Sequence, residues 1–150
     1  MDPSQIRARV IADHEGFRDV LDRLERRTRA ADGGDAAALQ ELRGLAQGLL
    51  ERLQEHMRWE EHYLRPALRE ADAWGEERAE RLTREHAEQR EELAFILQRL
   101  RDPERPEPLV INDLIGLIVM LREDMDEEER DLLDERVLRD DIVGIEVEAG

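Results

Sequence analysis

Three short breaker segments cut this chain into four long stretches of helical periodicity, a pattern that few folds accommodate. The first stretch runs from about Ser4, the expected N-cap, to Arg29 and repeats Ile6, Val10, Phe17, Leu21 and Leu24 on one face. Gly33-Gly34-Asp35 interrupts it. The second, about Ala36 to Ala71, carries Leu42, Leu45, Leu49, Leu53 and Leu64, and Pro66 is expected to kink it or begin its end. Ala73-Trp74-Gly75 makes the next turn. The third, about Glu76 to Arg101, presents Leu82, Leu93, Ile96, Leu97 and Leu100, and the Pro-rich segment from Asp102 to Pro108 ends it. The fourth, about Leu109 to Leu138, turns Leu114, Leu117, Ile118, Leu121, Leu132 and Leu133 inward. Four amphipathic helices on short connections predict an all-α, antiparallel up-down-up-down four-helix bundle over residues 1–138. Residues 139–150 are read as a C-terminal tail, docked or loose. Ile142 to Val147 alternates weakly like a strand, with no sheet to join.

Composition narrows the class. The 150 residues fit one domain, and Ala, Leu, Glu and Arg, all helix formers, dominate. The formal net charge is −16, from 23 basic residues, all arginine, against 39 acidic ones. A surface so acidic repels phosphate backbones, so no nucleic-acid partner is expected. The absence of cysteine excludes disulfides, thiolate zinc sites and iron–sulfur clusters. No signal peptide is visible at Met1-Asp2-Pro3-Ser4. The most apolar run, Leu109 to Leu121, is too short to span a bilayer and contains Asn112 and Asp113. A soluble cytoplasmic protein without membrane contact is the expectation.

The informative residues interrupt the apolar stripes. His14 lies between Val10 and Phe17. His56 follows Leu53, with Glu60 one turn later. His86 lies between Leu82 and Leu93, and Asp124 and Glu128 lie between Leu121 and Leu132. Each helix thus carries a metal-ligating side chain on its buried face, and two carry an i,i+4 pair. Burying three carboxylates and three imidazoles without partners would cost several kcal/mol per charge, roughly. Two divalent cations would compensate, and the mixture of donors suits iron, manganese or zinc.

Chain register supports one shared layer. In antiparallel neighbours, residues at equal height are equidistant from the turn between them. The midpoint of His14 and His56 falls on Asp35. The centre of His56 and Glu60 pairs with His86 about Asp72, and the centre of Asp124 and Glu128 pairs with His86 about Pro106. All three midpoints lie in or beside the breakers.

Other candidates have plainer roles. His62 lies about 240° around the helix from His56 and is read as a surface residue. Glu61 and Glu127 also point off the stripe and are read as solvated. Packing is the expected role of Trp59. Tyr63 is a candidate hydrogen-bond donor to a bound ligand.

These residues resemble the hemerythrin-like HHE cation-binding family. The resemblance covers about residues 5 to 135. It is carried by Ala12-Asp13-His14-Glu15, by His56-Met57-Arg58-Trp59-Glu60-Glu61 followed by Tyr63-Leu64-Arg65-Pro66, and by Arg84-Glu85-His86. It implies that His14, His56, Glu60, His86 and Glu128 hold two non-haem iron ions, with Glu60 and Glu128 bridging them. Two positions depart from the family. Asp124 stands where helix four normally has a histidine. Arg90 stands where oxygen-carrying members have a second histidine in helix three.

A third carboxylate favours ferric iron and argues against reversible oxygen carriage. The expected function is therefore to bind or reduce a small oxidant: dioxygen, peroxide or nitric oxide. If the chain is an enzyme, it would be a di-iron oxidoreductase of peroxidase type, with Phe17, Trp59 and Leu121 in a dry pocket. The alternatives are an iron-sensing or iron-holding module, or a metal-free interaction bundle with Arg90 and Asp124 in a core salt bridge. The face assignment predicts that His56→Ala loses metal and melts earlier, whereas His62→Ala does neither. Elemental analysis and a melting curve of each variant check this, and equal effects would refute the assignment.

Overall fold

In the computed structural model, which describes residues 1–31 and 36–140, the four periodic stretches are four helices. They are α1 (Pro3–Ala30), α2 (Ala36–Ala71), α3 (Gly75–Arg101) and α4 (Glu107–Asp131). Each packs on its chain neighbours, and α1 also packs on α4, so the helices close a ring. Arg18 of α1 meets Asp126 of α4, Asp22 of α1 meets Arg122 of α4, and Arg7 of α1 meets Leu133 just past the end of α4. Numbers rise on one helix as they fall on the other, which makes the pair antiparallel. Among the described residues there is no strand, and no helix is long and apolar enough to cross a membrane.

The start of α1 and the end of α4 differ from the expected ones for local reasons, whereas α2 spans its expected range. Asp2, not Ser4, caps α1: Pro3 is the first helical residue, and the Asp2 N–H donates to Gln5 Oε1 at 2.9 Å. Ser4 instead donates from N and Oγ to the Asp140 carboxylate at 2.9 and 2.6 Å. Helix α2 continues past Pro66 to Ala71.

Helix α4 stops at Asp131, well short of Leu138, although Leu132, Leu133 and Leu138 are all buried. Arg7 Nε takes the Leu133 carbonyl at 2.6 Å, and a new turn starts at Asp134, whose carbonyl accepts from Leu138 N at 3.1 Å. The apolar spacing imitates a continuing helix while the backbone has already turned. The Gly33-Gly34-Asp35 breaker and the tail from residue 141 lie outside the described residues.

The core is divided. Phe17, Leu21, Leu49, Leu53, Leu93, Leu114 and their neighbours form the larger apolar cluster. Ile6, Val10, Leu64, Leu68, Leu82, Leu132, Leu133 and Leu138 form a smaller one at the opposite end. Each fully buried leucine contributes about 1.5–3 kcal/mol of hydrophobic stabilisation. Between the clusters lie His14, His56, Glu60 and His86, all buried.

The α2–α3 turn holds α3 at its height. Asp72 accepts from Gly75 N through its carbonyl, from Trp74 N through Oδ1, and from Arg78 Nη1. A Cβ on Gly75 would collide with the carbonyl oxygens of Leu68 and Arg69. Gly75→Ala is therefore expected to destabilise the fold by about 2 kcal/mol. Gly116 is exposed within α4 with nothing near its Cβ position, and Gly116→Ala should stabilise by roughly 0.5–1 kcal/mol. Denaturant unfolding of the two variants checks the opposite signs.

Candidate metal centre

The three interrupting histidines have one arrangement in common: Nδ1 faces outward to a carboxylate, and Nε2 faces the bundle axis. His14 Nδ1 lies 3.1 Å from Glu129 Oε2, His56 Nδ1 lies 3.0 Å from Asp13 Oδ2, and His86 Nδ1 lies 3.0 Å from Glu61 Oε1. An arginine holds each carboxylate in turn. Arg18 pairs with Glu129, Arg9 Nε lies 3.2 Å from Asp13 Oδ1, and Arg90 Nη2 lies 2.6 Å from Glu61 Oε1. Such outer partners fix ring orientation and raise the basicity of the inward nitrogen.

The inward atoms converge. One ligand atom from each of His14, His56, Glu60 and Glu128 lies within 4.8 Å of every other. His14 Nε2 is 3.1 Å from Glu128 Oε1, and His56 Nε2 is 2.6 Å from Glu60 Oε1. His86 Nε2 is 3.7 Å from the same Glu60 oxygen. Despite this crowding, His56 Nε2, Glu60 Oε2, His86 Nε2 and Glu128 Oε1 are buried and make no aligned hydrogen bond. Polar atoms stranded in this way fit bound cations, which would take up their lone pairs, although His86 is not one of the four mutually close donors.

The electrostatics agree. Burial acts to raise the Glu60 pKa, but the imidazoles of His56 and His86 outweigh it and hold the carboxyl below the usual range. Burial, reinforced by the Glu60 charge, pushes Glu128 well above its ordinary value. Burial lowers His14, whereas at His56 it is overcome by Glu60 and Asp13, and the net shift is upward. Two carboxylates this close resist sharing negative charge, and a cation between them would remove that conflict.

Asp124 sits apart from the four converging donors. It is half-buried, it accepts from Gln89 Nε2 at 2.9 Å, and its pKa is pushed up to about 6. Burial is the main cause, with Glu92, Glu127 and Glu85 adding to it against the Gln89 hydrogen bond. It lines the same cavity of about 180 Å³ as the inner donors.

Several secondary expectations change. Glu61 is not solvated, because α3 packs beside it and His86 and Arg90 engage it. Arg90 pairs with Glu61 and forms no core salt bridge with Asp124, while His14 and His56 are buried, as their places on the apolar stripes imply. The apolar cavity wall is Phe17, Leu53, Met57 and Met125; neither Trp59 nor Leu121 lines it. Trp59 instead stacks on Tyr63 at 4.8 Å and carries the Arg9 guanidinium over its face. Tyr63 is exposed and does not line the cavity. His62 and Glu127 are exposed, as their helix angles imply.

Sequence reasoning missed Asp13 and Glu129 as imidazole partners. Each directly adjoins a stripe residue, His14 or Glu128, and so points sideways to the neighbouring helix. That adjacency was the only available signal.

The family model described as hemerythrin HHE cation binding domain matches residues 5–135. No curated protein and no solved structure matches the chain.

Glu61→Ala removes the group that orients His86 and should weaken metal binding roughly 10–100-fold. Glu55→Ala, at an exposed site on α2, should leave binding unchanged. Competition with a chelating dye measures both. Equal affinities would mean that His86 needs no support from Glu61.

Proposed function

The chain belongs to the hemerythrin HHE cation-binding domain family, and from that premise we propose that it holds two non-haem iron ions and uses them to bind or reduce dioxygen, hydrogen peroxide or nitric oxide. The observation that carries this reading is the set of stranded inward atoms on His56, Glu60, His86 and Glu128, with His14 Nε2 beside them. Family members bind metal cations, and these donors are of the type such ions take.

In this reading the inward Nε2 atoms of His14, His56 and His86 and the carboxylates of Glu60 and Glu128 would hold the ions. Asp124 is the sixth member of the set, at the outer side of the cavity. Bound iron would supply electrons and an open coordination position for the small molecule. Manganese or zinc would satisfy the same donors without matching the redox role as well.

The chain's own residues do the rest. Glu129, Asp13 and Glu61 hold the rings so that no donor must reorganise when metal arrives. Phe17, Leu53, Met57 and Met125 keep water from the inner wall, and the Phe17 ring packs edge-on against His56 at 5.3 Å.

A second reading, an iron-holding or iron-sensing module without turnover, is favoured by one feature. The outer part of the cavity is lined by carboxylates rather than by a dry apolar wall, and such a lining attracts cations more than it shelters a reactive small molecule.

Elemental analysis of protein purified without chelators, with an ultraviolet–visible spectrum, tests the proposal. Close to two irons per chain, with near-ultraviolet charge-transfer bands and consumption of peroxide, are expected. Iron with a large rise in melting temperature and no turnover would favour the holding module. No metal, and none taken up after anaerobic ferrous reconstitution, would overturn both readings.

A further inference from the structure

We propose that the seam between α3 and α4 is the port through which divalent cations reach the buried donors, with Glu88, Glu92, Asp124 and Glu127 forming an outer site that holds the hydrated ion in transit. This rests on the metal-binding reading above and adds the route.

The cavity itself supplies the first argument. At one end it is lined by His14, His56, Glu60 and His86, and at the other by Glu88, Gln89, Glu92, Asp124 and Glu127. The outer residues all lie on α3 and α4, the most sparsely packed of the adjacent helix pairs. His86 and Glu60 face this same cavity, each almost wholly buried, with Nε2 and Oε2 lacking hydrogen-bond partners. These stranded donors, independent of the outer acids, indicate what passes through: a cation.

Arginine placement supplies the second. At the level of the polar layer, fixed cations guard the other three seams. Arg9 sits with Asp13 between α1 and α2, Arg18 with Glu129 between α1 and α4, and Arg90 with Glu61 between α2 and α3. Toward the smaller apolar cluster, Arg81 bridges Glu85 and Asp131 and closes the α3–α4 seam too. Beyond Arg81, toward the larger cluster, no ion pair with arginine involves Glu88, Glu92, Asp124 or Glu127 among the described residues.

An arriving cation meets arginine–carboxylate pairs, close to neutral, at three seams and carboxylates without an arginine partner at the fourth. Like charges on facing helices cost stability, and an ion between them relieves that cost. Asp124 links the two ends. One of its oxygens is held by Gln89 across the seam, and it lies one turn of α4 from Glu128. Asp124 is therefore the member of the outer site that shares a helix face with the inner donor Glu128.

Stopped-flow uptake of Co²⁺ by metal-free full-length protein tests the route, read from cobalt visible absorption over a series of ionic strengths. The variant E88Q/E92Q/E127Q changes three exposed residues and spares every donor of the inner set. It should take up the same amount of cobalt roughly tenfold more slowly at low salt, with a flatter salt dependence. The control E51Q/E55Q/E80Q makes the same charge change at exposed positions away from the cavity and should match the wild-type rate. Wild-type rates in the seam variant, with cobalt still bound, would overturn the port and leave the metal site standing. Equal slowing in both variants would attribute the effect to net charge and also overturn it. No cobalt uptake by the wild type would overturn the port together with the metal-binding reading.

Discussion

Everything in this bundle is arranged around a polar layer placed where a helical protein ordinarily puts leucine. His14, His56, Glu60 and His86 are buried between two apolar clusters, and Glu128 joins them from α4. Desolvating such groups costs several kcal/mol each, roughly, unless they are paired or metal-bound. The leucines on both sides supply the opposing stabilisation and hold the helices in register. The layer then gains its chemistry from being dry on its inner wall and stranded at its inward atoms.

Arginine makes that layer rigid. This chain has no lysine, and its guanidinium groups secure the carboxylates that secure the imidazoles. A planar guanidinium can hold a carboxylate in a fixed orientation, where a flexible ammonium acts more as a point charge. Arg90 shows the economy of this arrangement. It reaches the polar layer only indirectly, through Glu61 and His86. Among the described residues, one stretch of the α3–α4 seam has no arginine ion pair.

Much of this was legible in order. The apolar repeats gave four helices because period 3.6 leaves few alternatives. The register about Asp72 and Pro106 put His86 level with Glu60 and near Asp124 because an antiparallel pair must mirror about its turn. Failures came where side chains interact sideways. Glu61 reads as solvated from its angle on α2 alone, yet α3 lies against that face and His86 takes it. Trp59 and Tyr63 lie close to His56 in sequence but stack together away from the cavity. Helix α4 ends at Asp131, and Arg7, far off in the chain, donates to the Leu133 carbonyl just beyond it.

The sequence by itself determined the helices, their antiparallel order and the residues that interrupt each stripe, because these depend on periodicity and on distance from a turn. Only the tertiary structure decided which carboxylate orients which histidine, that Asp124 is held by Gln89 outside the four converging donors, and which stretch of the α3–α4 seam has no arginine ion pair. Those outcomes depend on how neighbouring helices rotate against one another. A rotation of a fraction of a turn changes every sideways contact while leaving each helix's own pattern untouched.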